Sequence, residues 1–358
     1  MLDRFQVELD RLREKKNSPG MTAAFALPDG RVFGFASGVA DKESGEPMTP
    51  DSRMLSASIG KTYVAATAIS LILDGKLDLD DKIEKWLGDA SWFIRLPNAA
   101  DITVRNLLNH SGGITDHVHS EGFAQAVGEW KTEPDFDVTP QLHSKMVEFV
   151  CDREPLFPAG QGYQYTDTGY LLVGMIIERA SGSTFYREVQ HRLLDPLGLT
   201  LTSPSNRRVL PGIVPGYSAP ENPFGFPEKG MVDGQLVIHP GVEWTGGGFV
   251  DNSKDLVRWA RALYSGKAMK GDYLDLLFGS PNKVSDDPVC HYSLGVGIEE
   301  SDFGKVCGHS GWTPYYRSRM YYYLDHGVAI AFHTNTDIND TVYEIINDLG
   351  KLVIQESI

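Results

Sequence analysis

Strand-forming text is confined to the two ends of this chain, and that placement constrains the fold more than any other feature. Near the start, MTAAFALPDGRVFGFASG (residues 21–38) holds two apolar runs on either side of Pro28-Asp29-Gly30. That tripeptide is a turn signal, so the stretch predicts a β-hairpin. Towards the other end, Tyr292 to Glu299, Gly304 to Cys307, Tyr315 to Leu324 and Gly327 to His333 are rich in Val, Tyr, Phe and Ile and punctuated by Gly and Asp. They predict four more strands. The text between is mostly helical, with long loops. The expected fold class is therefore α+β, an α/β sandwich. One antiparallel sheet is built from both termini and flanked by helices, with a mainly helical region inserted in the middle. The expected domains are residues 1–75 plus 285–358 for the sheet and 76–284 for the helical part, with a site between the two lobes.

The helical text divides further. MLDRFQVELDRLREKK reads as a surface helix carrying Phe5, Val7, Leu9 and Leu12. A long helix begins near Ser58 and stops at Gly75, a C-cap residue. Further helices are expected over Thr103 to Asn109, Thr139 to Val150, Gly169 to Ala180, Thr184 to Leu194, Asn252 to Tyr264 and, closing the chain, Thr341 to Ile354. The Pro- and Gly-rich stretch Ser203 to Pro240 reads as loop.

Composition excludes several classes of function. A formal net charge of −15 over 358 residues disfavours nucleic-acid and anionic-membrane partners, which select a basic face. Three widely spaced cysteines, Cys151, Cys290 and Cys307, give neither a disulfide framework nor a C-x-x-C metal pattern, and read as small buried hydrophobes. No run of about 18 uncharged apolar residues exists to span a membrane. The first residues lack the apolar core of a signal peptide, so a cytoplasmic location is expected, with a periplasmic or secreted one as the alternative for a processed chain. Oligomeric state is not legible. Asp116-His117-Val118-His119 resembles a short metal cluster, but no H-E-x-x-H or further ligand spacing supports it. A polar loop at the cleft, with no metal and no cofactor, is the expectation.

Chemistry is suggested first by Ser58-Ile59-Gly60-Lys61. Residues three apart on a helix share a face, so the Ser58 hydroxyl and the Lys61 amine can meet in the first turn, where the helix dipole favours negative charge. Val64, Ala65, Ala68 and Ile69 offer a desolvating wall for the lysine. The pattern alone is weak. A second copy, Ser280-Pro281-Asn282-Lys283, reads as loop, and Ser58 alone is also a plausible helix cap. Two further stretches strengthen it. PAGQGYQYTDTGYLLVG (residues 158–174) is a glycine-rich loop opening a helix and carries Tyr165 and Asp167. GHSGWTPYYRSRM (residues 308–320) carries His309-Ser310-Gly311 at the start of a predicted strand.

Taken together, these stretches resemble the penicillin-recognising serine hydrolases: class C β-lactamases, DD-carboxypeptidases of the same branch, D-aminopeptidases and related esterases. Ser58-Ile-Gly-Lys61 looks like the nucleophile motif, and Tyr165-Thr-Asp167 stands where Tyr-x-Asn is usual. His309-Ser-Gly311 looks like the His-x-Gly form of the Lys-Thr-Gly motif. VRNLLNHSGGI, PLGLTLTSP, TGGGFVDNSKDLVRWARAL and the strand ending HTNTD extend the resemblance from about Gly20 to Asp337. It implies an acyl-enzyme on Ser58, proton transfer shared by Lys61 and Tyr165, and an oxyanion hole from the backbone N–H groups of Ser58 and Trp312. It also implies that His309 steadies Tyr165, that Asp167, Ser310, Gly311 and Trp312 contact substrate, and that Gly311 admits substrate close to the strand edge. The other His-Ser-Gly, at His110, reads as a structural loop.

Asp167 departs from the family pattern. Ionised Asp accepts hydrogen bonds only, whereas Asn also donates. An acid here favours a protonated Lys61, moves base duty towards Tyr165 and disfavours anionic substrates. Tyr315 and Tyr316, with Trp312, are expected to narrow the pocket, with a solvent-facing aromatic cluster as the alternative; Arg317 and Arg319 are expected to compensate local acids, or one of them to meet a substrate carboxylate. The expected function is a serine hydrolase acting on an amide or ester, most naturally a D-amino-acid peptide or amide or a small ester, with a small-molecule or peptide substrate as partner. The alternative is a catalytically weakened binding or sensing protein of the same fold, and a metal-dependent hydrolase using His117 and His119 is a distant third.

Overall fold

The computed structural model describes residues 1–130, 140–219, 225–284, 290–338 and 342–357. Its centre is an eight-stranded sheet in which every neighbouring pair is antiparallel. The strands are β1 (Gly20–Ala26), β2 (Val32–Gly38), β3 (Asn282–Lys283), β4 (His291–Tyr292), β5 (Gly297–Ser301), β6 (Gly304–Thr313), β7 (Tyr316–Tyr323) and β8 (Val328–Thr334). Their order across the sheet is β2-β1-β8-β7-β6-β5-β4-β3. The expected hairpin turns at Gly30, whose φ of +95° lies where a side chain is disfavoured. The two termini join where β1 pairs with β8, from Met21 opposite Thr334 to Ala26 opposite Ala329.

Side-chain size on alternate residues decides what covers each face. Met21, Ala23 and Phe25 of β1, Tyr321 and Tyr323 of β7, and Val328, Ile330 and Phe332 of β8 point to one side. There they bury helices α1 (Leu2–Lys15) and α5 (Val342–Ser357) through Phe5, Leu9, Leu12, Ile346 and Leu349. The opposite residues, Ala24, Ala26, Ala329 and Ala331, are small. They let helix α4 (Ser253–Tyr264) approach closely, with Leu256, Trp259, Ala260 and Leu263 in the interface. Behind α4 lie α2 (Lys61–Leu73) and α3 (Asp167–Ser181), which belong to the same continuous apolar core.

Several elements depart from expectation. Tyr292 to Glu299 is not one strand but two, β4 and β5, joined by a tight turn with Gly295 at φ +70°. The turn is held in the helical region, because the N–H groups of Leu294 and Gly295 bond the Leu277 and Leu108 carbonyls at 3.3 Å each. Conversely, the strand expected to stop at Cys307 continues to Thr313, so His309-Ser310-Gly311 lies inside β6 rather than at the start of the next strand. Gly308 and Gly311 hide this continuation in the sequence, since glycine is a poor strand former. The helix expected from Ser58 opens as a 3-10 turn, Ala57–Gly60, before α2 begins at Lys61. The helix expected over Thr184 to Leu194 is α-helical only to Val189 and continues as a π turn, Gln190–Leu194. Within the expected loop Ser203 to Pro240, a small ribbon pairs Met231–Val232 with Gln235–Leu236. Residues 220–224 of that loop, the helix starts expected at Thr139 and Thr341, and the domain boundary at residue 285 lie outside the described residues.

Candidate active site

The turn before α2 is bent by its own backbone. Ala57 has φ +49°, a left-handed conformation costly for a residue with a Cβ. Its effect is to turn one side chain outwards: from Ser52 to Ile69 every residue is buried except Ser58. Two close approaches hold the bend. At Gly311 of β6, an added Cβ would collide with the Ser56 carbonyl oxygen, and the Ser318 hydroxyl donates to that same oxygen at 2.8 Å. At Gly247, an added Cβ would fall on Ala57. Gly311 is thus small to admit the serine turn, not the substrate; it is itself buried.

Lys61 follows one 3-10 turn later, a spacing that eclipses the two side chains. Its Nζ lies 3.0 Å from Ser58 Oγ and 2.5 Å from the Gly246 carbonyl oxygen, and it also bonds the Asp167 carboxylate. An ammonium has three N–H groups, and these are three acceptors. The lysine is fully buried, as are Val64, Ala65, Ala68 and Ile69 of α2, and two aromatic rings face its amine. The Tyr165 and Tyr170 rings stand 4.9 and 5.4 Å from Nζ.

Tyr165 and Asp167 are placed by the start of α3. Thr166 caps the helix, its hydroxyl accepting from Thr168 N, and Asp116 accepts from Asp167 N at 3.1 Å. Asp167 therefore sits in the first turn, where its charge suits the helix dipole. Burial, and then the Asp167 charge, push the Tyr165 phenol well above its ordinary range, and a hydrogen bond to Ser58 offsets only part of that. The His110 ring packs 4.2 Å from the Tyr165 ring, and its Nδ1 accepts from Thr166 N. The His-Ser-Gly read as a structural loop thus buttresses the tyrosine directly.

His309 does not bond Tyr165. Its Nδ1 meets the Ser310 carbonyl at 2.6 Å and its Nε2 meets the Tyr292 hydroxyl at 2.8 Å. A carbonyl only accepts, so Nδ1 carries the proton and Nε2 accepts from the phenol. Burial, reinforced by Lys61, lowers His309 to about 3, so it stays neutral. Its link to Tyr165 runs through aromatic packing, with ring centres 6.2 Å apart and Tyr292 edge-on to both.

These groups open on one cavity of about 360 Å³. Ser58, Tyr165, Asp167, His309, Ser310 and Trp312 line it, while Lys61 stands behind Ser58. Phe123, Val127, Leu236 and Ile238 supply apolar walls. Tyr315 and Tyr316 do narrow it, and both are buried, with their hydroxyls tied to the Pro227 and Val214 carbonyls. Arg317 and Arg319 are absent from its lining. Arg319 is buried against Glu299 and Tyr321, and Arg317 reaches the Asp337 carbonyl. The second Ser-x-x-Lys is also elsewhere, with the Ser280 hydroxyl bonded to Arg105. His117 lines the cavity but spends Nδ1 on the Thr168 hydroxyl, and burial lowers it to about 4. Among the described residues no three His, Cys, Asp or Glu side chains are grouped to hold a metal. Two contributors went unnoticed in the sequence, Glu243 in the lining and Gly246 on Lys61. The only signal was the glycine run of GVEWTGGGF, which Gly246 opens and Glu243 precedes.

The Beta-lactamase family model matches residues 6–353 of this chain. Penicillin-binding protein 4* of Bacillus subtilis is 26% identical over 347 residues, covering 95% of this chain and 72% of that protein. Esterase EstB of Burkholderia gladioli is 26% identical over 202 residues, covering 55% of this chain and 50% of that protein. Among solved structures, the D-amino acid amidase of Ochrobactrum anthropi SV3, complexed with L-phenylalanine, superimposes with a TM-score of 0.81 at 25% identity, over 100% of each chain. The nucleophile-type turn, the sheet strand beside it and the full-length match agree: this chain belongs to the Beta-lactamase family, as a serine hydrolase.

Proposed function

We propose that this protein hydrolyses a small amide or ester, an amino-acid amide or short peptide before a simple ester, through an acyl-enzyme on Ser58. One observation carries the reading. The single outward residue of a strained, buried turn meets an amine at 3.0 Å and a phenol, at the mouth of a cavity large enough for a small substrate. The amidase whose fold matches end to end supports the amide over the ester. D-Stereochemistry is proposed on the same likeness.

The chemistry follows from the protons. Lys61, held by Asp167 and Gly246, donates to Ser58 Oγ and stabilises it as negative charge develops. Tyr165 is a poor phenolate, so it acts as a relay. As Oγ bonds the carbonyl carbon, the phenol oxygen takes the serine proton and passes its own to the leaving nitrogen or oxygen. Water then attacks the acyl-enzyme, and the relay runs backwards to restore the serine hydroxyl. The N–H groups of Ser58 and Trp312 are the proposed oxyanion hole, a role supported by the tight seating of β6 on the Ser56 carbonyl. His309 fixes Tyr292 and, through it, the aromatic wall behind Tyr165. No helix among the described residues is long and apolar enough to cross a membrane. A cytoplasmic location belongs to the proposal, and cell fractionation tests it.

Intact-protein mass spectrometry tests the reaction. A fluorophosphonate, a penicillin and an activated ester are each incubated with wild type and with Ser58→Ala. A covalent adduct present in wild type and lost in the variant is expected. No adduct from any reagent on folded protein overturns the acyl-enzyme and favours a binding or sensing role.

A further inference from the structure

Three carboxylates line the cavity beside Ser58, and they are not equivalent. Asp167 is bound to Lys61. Asp116 accepts the backbone N–H groups of Asp167 and Val118, at 3.1 and 3.2 Å, so it caps structure. Glu243 has no such occupation. Among the described residues no Lys, Arg or His lies within ion-pair distance of it, and the Thr313 hydroxyl is the neutral group that favours its charged form. Its position relative to the serine is fixed by Gly247. The point a Cβ would occupy there is 2.8 Å from Glu243 Oε2 and 2.5 Å from the Ala57 carbonyl oxygen. The carboxylate therefore stands beside the residue that precedes Ser58, with the apolar walls of Leu236, Ile238 and Val242 nearby in the lining.

We propose that Glu243 is the specificity-determining residue of this site, binding the primary ammonium of a substrate whose carbonyl lies at Ser58 and whose side chain fills the apolar part of the cavity. This deepens the hydrolase reading and rests on it for the placement of the carbonyl. A carboxylate kept in a low-dielectric cleft without a cation is costly unless a ligand supplies one. An α-amine sits one carbon from the scissile carbonyl, and Glu243 is the cavity carboxylate free to meet it. Asp167 excludes anions from the cavity, but its charge is already committed.

The electrostatics agree. Burial pushes the Glu243 carboxyl up to about 7; the Asp167 charge adds to this, and Lys61 and the Thr313 hydrogen bond oppose it. Among the described titratable groups near it or in the cavity, the phenols of Tyr165 and Tyr186 stay protonated at neutral pH, His117 and His309 stay neutral, and Asp116, raised by burial to about 6, gains its charge just below Glu243. Glu243 thus gains its charge as pH rises from about 6 to about 8, while an α-amine of an amino-acid amide is still largely protonated in the lower part of that range. An ammonium guest pulls the carboxyl down and releases a proton on binding near pH 7.

The test separates recognition from catalysis by using Ser58→Ala, which binds without turnover. D-Phenylalaninamide and 3-phenylpropanamide, the same amide without the amine, are titrated calorimetrically at pH 6 and pH 7.5, with Ser58→Ala/Glu243→Gln alongside. The expected result is a preference of about tenfold or more for the amine-bearing amide at pH 7.5, shrinking at pH 6 and falling to near parity with Glu243→Gln. Equal binding of the two amides by Ser58→Ala, no binding of either, or a preference that survives Glu243→Gln overturns the proposal. Each of these results is independent of whether wild type forms an acyl-enzyme, which the mass measurement reads separately.

Discussion

At the scale of single residues, Asp167 is where this site differs from the family pattern, and its geometry gives that difference a consequence. The carboxylate is one-quarter exposed in the cavity and bonds Lys61. β-Lactams carry a carboxylate of their own, and a second negative charge at short range opposes their binding. Asp167→Asn keeps an oxygen for Lys61 and adds an N–H donor. Acylation by a penicillin is expected to rise by about tenfold or more, read as trapped acyl-enzyme by mass; no gain removes Asp167 as the reason for any resistance. The sequence displayed Ser58, Lys61, Tyr165 and Asp167 because local rules place them: one helical spacing and one helix start. It did not single out Glu243 or Gly246, the latter meeting Lys61 from 185 residues away, because the glycine run there gives no sign of what it touches. His309 was found, but its partner was not, since Tyr292 reaches it only across the β4–β5 turn.

At the scale of elements, the site depends on how hard β6 presses on the turn before α2. The expected role of Gly311, room for a substrate, is replaced by room for the Ser56 carbonyl. Gly311→Ala forces either the strand or the serine turn to move. A shift of about 1 Å at the reacting group costs on the order of 100-fold in kcat/KM, and that is the expected loss in a steady-state assay with an activated ester. Wild-type activity in a folded Gly311→Ala protein shows that β6 yields freely and that the turn is held by α2 and Gly247 instead. Strands rich in Tyr, Val and Ile were legible from composition, whereas the last half of β6 was not. Its glycines argue against a strand locally and are explained only by neighbours, with Gly308 lying against the Met320 carbonyl of β7. The Ala57 bend was equally hidden, because backbone strain is imposed by packing and leaves no mark on residue type.

At the scale of the molecule, the joining of both termini in one sheet was legible, and the continuity of the core was not. The division into residues 1–75 plus 285–358 and 76–284 is retained as a proposal of two lobes that unfold together. Its support is a core in which Ala24, Ala329 and Met320 of the sheet continue without a break into Leu107, Tyr170 and Leu171 of the helical part. The tryptophans make this measurable, since Trp86, Trp92, Trp130, Trp244 and Trp259 all lie in 76–284 and Trp312 alone does not. Leu9 of α1 is fully buried on the far face of the sheet, in the apolar cluster that α1 shares with α5. Leu9→Ala leaves a cavity there and is expected to cost about 3 kcal/mol. If the lobes are one cooperative unit, tryptophan fluorescence and far-UV circular dichroism shift together, to the same lower denaturant midpoint. If fluorescence keeps its wild-type midpoint while the dichroism splits into two steps, the helical part stands alone. The Ser58 turn, gripped by β6 on one side and Gly247 on the other, would then straddle two independently melting bodies, and activity would be lost at the first step. Cooperative melting instead carries the Ser58 geometry intact up to the single midpoint.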